Sequence, residues 1–144
     1  MHPLTFAACV VAAAFIGSAV ARADSATTMP IDEPTVIDGI NLACTGVGDE
    51  ARSDPRWPGF AVRIEFANAA AQYLSNVDVL VADEGGKTLF QVNCDSAWIL
   101  ADLLPGKYTV SGTFEGITKT AKVTAPKSGR TRIVVRFPEV PGDQ

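Results

Sequence analysis

The side chains that most often carry chemistry are scarce in this chain. Its single histidine is His2, and its three cysteines are Cys9, Cys44 and Cys94. Beyond position 2, therefore, a Ser-His-Asp triad, a Cys-His pair and an ordinary histidine zinc site all lack their central residue. Carboxylates are plentiful, and Asp49, Glu50, Asp54, Asp83 and Glu84 fall in loop-like segments. Two carboxylates can divide acid and base roles, but no spacing here sets a pair face to face. The run GDEARSD holds Asp49, Glu50 and Asp54, yet lacks the alternating aspartates of a dedicated calcium loop. Acidic turn residues read as solvated, so neither an enzyme nor a bound metal or cofactor is expected.

What remains is chemistry of binding. Residues 46–59, GVGDEARSDPRWPG, mix glycine, proline and both charge signs without any period. Trp57 lies there between Arg56 and Pro58, and an exposed aromatic beside arginine is a common interface anchor. Asp49, Glu50, Arg52, Arg56 and Trp57 are the candidate interaction residues of this loop. The competing reading has Trp57 folding down to cap the open end of the domain. Trp98, close to Cys94, is expected to pack in the core against a disulfide. Arg130, Arg132 and Arg136 form an outward basic strip on the last strand. Such a strip protects a sheet edge from pairing with other chains, and binding an acidic partner is its second reading.

The elements that hold these residues begin after a leader. Residues 4–20 are apolar, and Ala21-Arg22-Ala23 fits an A-x-A cleavage site, so residues 1–23 read as a signal peptide cleaved after Ala23. The run is short for a membrane span, and no second one follows, so no stable membrane insertion is expected. Cleavage removes Arg22 from the 12 basic residues and none of the 16 acidic ones, leaving 11 against 16, a charge of −5. An acidic chain without a basic cluster offers no electrostatic footprint for nucleic acid. In an exported chain the remaining pair, Cys44 and Cys94, is expected to form one disulfide. It would close a loop of about 50 residues, a constraint of roughly 4 kcal/mol on the chain-entropy view.

Residues 24–35 are small, polar and punctuated by proline, and read as a disordered leader. From residue 36 to residue 138 the pattern predicts short strands. One is expected over residues 36–44, weakened by Gly39. FAVRIEFA sets Phe60, Val62, Ile64 and Phe66 against Arg63 and Glu65. Val77, Val79 and Val81 alternate up to a turn at residues 83–86, and Phe90, Val92 and Cys94 return. SAWILADL is a shorter strand; Tyr108, Val110, Gly112 and Phe114 alternate before the Glu115-Gly116 turn, and RTRIVVRF closes the chain. A helical turn is expected around residues 49–53, ended by Pro55. FANAAAQYL is the one longer helical competitor, in a place that suits a crossover loop. Seven to eight strands with turns about every 8–12 residues predict an all-β sandwich of Ig-like or transthyretin-like form.

The VDVLVADEGGKTL hairpin, the LADLLPGKYTVSGTFEGITKTAKV block and the final TRIVVRF carry a resemblance, spanning residues 77–137. Together they resemble the carboxypeptidase regulatory-like domain, a transthyretin-like or prealbumin-like β-sandwich. Leu103-Leu104-Pro105-Gly106 departs slightly from the Leu-Pro-x-Gly of many members. The chain is also similar to small exported bacterial proteins built on this domain, with Gly46-Val47-Gly48-Asp49-Glu50 in place of their Gly-x-Gly-Glu-Glu-like segment. That resemblance implies fold and export, not an activity. Transthyretin-like hydrolases of ureide metabolism add catalytic histidines and a C-terminal Tyr-Arg-Gly-Ser, and neither is present here. The expected function is a protein- or ligand-interaction module, periplasmic or secreted, whose partner is an unidentified envelope protein or ligand. A self-associating envelope component is the alternative, and a carboxylate-dependent hydrolase a more distant one.

Overall fold

The computed structural model describes residues 26–138, so the expected signal peptide and the tail at 139–144 lie outside the described residues. Within that range the period-two alternation becomes ten strands. In chain order they are β1 (Thr27–Thr28), β2 (Pro34–Ile37), β3 (Ile40–Thr45), β4 (Val62–Ala67) and β5 (Val77–Asp83). Then follow β6 (Thr88–Cys94), β7 (Trp98–Ala101), β8 (Gly106–Phe114), β9 (Ile117–Ala125) and β10 (Thr131–Arg136). One short helix, α1 (Asp49–Arg52), sits between β3 and β4, as the sequence predicts. Among the described residues no helix is long and apolar enough to cross a membrane.

The first sheet runs β1-β6-β5-β8-β9 and the second β10-β4-β7-β3-β2. Among the named strands the parallel pairs are β1 with β6 and β10 with β4, and Ile31 adds an isolated parallel bridge to Cys44. The inner faces carry the alternating residues: Val62, Ile64 and Phe66 meet Val79, Val81, Phe90, Val92 and Val110, all buried in one cluster. This is the expected all-β sandwich, with ten strands in place of seven or eight.

Two local causes account for the difference. Asp38 and Gly39 both take positive φ, 50° and 81°, the backbone of a two-residue type I′ hairpin turn. The single strand expected over residues 36–44 is therefore a hairpin, with Ile37 opposite Ile40. The other addition is the segment read as a disordered leader. Thr27 and Thr28 pair with Val92 and Asn93, and Met29 is buried in the core. Residues 26–35 thus belong to the fold. The helical competitor is not a helix: after β4 the chain turns at Asn68 and Gln72 and crosses to β5 in the other sheet.

Cys44 on β3 and Cys94 on β6 form a disulfide, with Cα atoms 5.6 Å apart across the two sheets. Tyr108 donates its hydroxyl to the Leu104 carbonyl at 2.6 Å, bracing the Leu-Leu-Pro-Gly entry to β8. Burial of the ring, and then the Asp83 charge, push its pKa above the ordinary 10.0. The neutral phenol is therefore the form the fold favours. Its contribution is complete below about pH 10 and is lost as pH rises through the higher native value. Tyr108→Phe should cost about 0.5–1.5 kcal/mol in urea unfolding and remove the late phenol from an alkaline absorbance titration. Loss instead of a phenol that titrates at or below the ordinary 10.0 would rule this out.

Candidate functional site

The outer face of the second sheet is where charge gathers. β4 turns Val62, Ile64 and Phe66 into the core, so Arg63 and Glu65 face outward. Register extends these into rows. Arg132 of β10 and Leu100 of β7 lie opposite Arg63, while Val134 and Trp98 lie opposite Glu65. Part of this face is itself buried, because residues 46–60 fold down over it. Trp57 and Phe60 meet Ala43, Ala97, Trp98 and Leu100 in a second apolar cluster outside the sandwich. The Trp57 indole donates to the Ala51 carbonyl at 2.8 Å, and its ring meets Phe60 edge-on at 6.0 Å. Arg130 closes the loop down by donating to the carbonyls of Trp57 and Phe60. Burial, and then the nearby Arg63 charge, hold the Arg130 pKa below its ordinary value.

Both tryptophan expectations are corrected by this packing. Trp57 is only 2% exposed, so it is neither an exposed anchor nor a lid on the open end of the sandwich. It covers a sheet face. Trp98 points away from the core, because its neighbour Ile99 is the residue that packs with Cys44 and Cys94 inside.

Beside the docked loop lies an arginine cluster around one carboxylate. Glu65 is 1% exposed and accepts from the Trp98 indole at 3.1 Å and from Arg132 Nε. Arg63 Nε stands 3.5 Å from the same carboxylate and makes no hydrogen bond among the described residues. The Arg63 guanidinium stacks over Trp98 at 4.3 Å, and Arg52 reaches both Trp98 and Tyr73 at 5.7 Å. Arg52 is held by its Nε, which donates to the Gly46 carbonyl at 2.8 Å. Gly46 has φ of 103°, and a Cβ there would come within 2.5 Å of the Trp98 ring, so only glycine lets the chain pass. The hydrogen bond that Arg132 donates to Glu65 raises the Arg132 pKa, keeping that charge firmly in place.

Of the five residues expected to form an interaction loop, only Arg52 joins this cluster. Arg56 is turned elsewhere: it grips Asp54 at 2.7 Å and donates to the Asp32 carbonyl. Asp49 and Glu50 are exposed on the first turn of α1. Asp54 is taken up by Arg56, and among the described residues no group of three His, Cys, Asp or Glu is placed to hold a metal ion. Arg63, Glu65 and Tyr73 were not singled out by sequence. Arg132 was noted as part of an edge strip, and β10 is indeed an edge strand, but Arg132 leans inward over the sheet to Glu65. An open cleft of about 590 Å³ lies away from this face, lined by Asp38, Asp102, Leu104 and Tyr108 among others. Its phenol is already committed to Leu104.

No protein-family model matches the chain, and no curated protein matches it.

Proposed function

We propose that this chain is a non-enzymatic interaction module that binds an anionic partner on the arginine face of its second sheet. The single observation that carries the reading is the imbalance there. Two guanidiniums, from Arg63 and Arg132, flank one carboxylate, and a third, from Arg52, lies over the neighbouring Trp98 and Tyr73 rings, in a chain whose formal charge is −4. A local gathering of positive charge on an acidic protein favours an anionic partner, and Arg63 and Arg132 sit on strands while Arg52 sits on the docked loop that braces them. Export to the periplasm or the exterior fits the leader sequence and the buried disulfide, which persists in an oxidising compartment. Membership of the carboxypeptidase regulatory-like class rests on the Leu-Pro-Gly-Lys-Tyr entry and its flanking hairpins. A hydrolase is disfavoured because Asp54 is spent on Arg56 while Asp49 and Glu50 are exposed to water.

Immobilised protein should capture its partner from an envelope extract and release it with salt. Arg52→Gln should weaken capture by about tenfold, equivalent to about 1.4 kcal/mol, while Arg56→Gln, on the opposite flank of the loop, should not. Equal capture by all three proteins would remove the arginine face from consideration.

A further inference from the structure

We infer that the group recognised on this face is the carboxylate of a short acidic peptide segment, not the phosphate of a long polyanion. The inference rests on the reading of that face as the recognition surface. Three features of the cluster carry it.

The first is the way the arginines are tethered. Arg52 is fixed through Nε to Gly46, and Arg132 through Nε to Glu65. Both side chains stay accessible, Arg132 at 49%, and with Nε taken in each, the terminal nitrogens are the donors left for a ligand, beside the Tyr73 ring. That two-pronged edge pairs in plane with two oxygens of an anion, carboxylate or phosphate alike, and the choice between them rests on the charge count and the surroundings. The buried Arg63 Nε faces Glu65 at 3.5 Å, so Arg63 adds its charge to the cluster from below.

The second feature is that one carboxylate already sits there. Glu65, buried under the arginines, cancels one of the three charges and leaves a formal excess of two. Such an excess suits one or two singly charged groups. It is weak for a phosphate cluster, which would meet the Glu65 charge at close range.

The third is the surroundings. Asp49 and Glu50 stand exposed on α1, the helix that also carries Arg52. Asp49 lies one turn from Arg52 on α1, inside the screening length of about 8 Å in physiological salt, so it weakens the field at that arginine. A long polyanion that extends further over acidic surface is repelled more than a short segment. Tyr73, 47% exposed beside Arg52, supplies an aromatic ledge for the aliphatic stem of a glutamate.

The test uses the two indole N–H signals of the ¹⁵N-labelled, disulfide-intact protein. Trp98 Nε1 bonds to Glu65 within the cluster, and Trp57 Nε1 bonds to Ala51 under the loop. Four titrants are compared at matched ionic strength: a blocked tetraglutamate peptide, its tetraglutamine counterpart, inorganic phosphate and heparin. The glutamate peptide should move the Trp98 signal saturably and leave the Trp57 signal in place, while the glutamine peptide moves neither. Arg52→Gln should weaken the response at least tenfold. Glu65→Gln, which keeps a hydrogen-bond acceptor for Trp98 and removes the competing charge, should strengthen it. If phosphate or heparin moves Trp98 as well as or better than the glutamate peptide does, the carboxylate preference is wrong while the anion-binding face stands. If no anion moves it, both fall.

Discussion

Trp57→Ala should cost about 3–5 kcal/mol of stability, the range for truncating a buried large aromatic. Trp57 is 2% exposed, packs with Phe60, Trp98 and Leu100, and anchors its indole on the Ala51 carbonyl. Its loss would leave a cavity under the loop and free Arg130 from the carbonyls it now clamps. An exposed interface anchor behaves otherwise, since surface substitutions fall within about 0.5 kcal/mol. Urea unfolding followed by circular dichroism separates the two. A change below about 1 kcal/mol would mean that the loop does not depend on this side chain. Because Arg52 hangs from the same loop, the variant should also loosen the arginine cluster.

Removing the disulfide should have a comparable effect. The bond spans 50 residues and ties the two sheets together through the core. Constraint of the unfolded chain by a loop of that size contributes about 4 kcal/mol, so the double substitution Cys44→Ala with Cys94→Ala should lower stability by about that amount. Both cysteines are nearly inaccessible, at 0% and 2% exposure, so a thiol reductant should act quickly only once denaturant opens the fold. Rapid reduction under native conditions would contradict that burial.

How far these features could be read from sequence depends on whether a residue's role is periodic. The strands of the core were legible because inward and outward residues alternate, as along Phe60 to Phe66. Asp38-Gly39 was a readable hairpin signal that the longer strand assignment passed over. Thr27 and Thr28 were not legible, because two polar residues pair through backbone alone and leave no side-chain pattern. The docking of Trp57 has no period either, but it left a trace. Trp98 to Ala101 are all buried, a continuous apolar run that implies a strand covered on both faces, and the cover had to come from somewhere. Glu65 was the deepest omission. An outward-facing glutamate in an alternating strand reads as solvated, and only the approach of Arg132 from β10 and Trp98 from β7, with Arg63 beside it on β4, buries it.

The central claim is that function resides on the arginine face, and a residue-by-residue map of amide shifts during titration with the glutamate peptide tests it most directly. The expected result is a continuous patch covering Arg63, Glu65, Trp98, Arg132 and Tyr73, with the Arg56 side of the loop unchanged. Shifts gathered instead around Asp38, Asp102 and Tyr108, in the cleft away from this face, would contradict the claim.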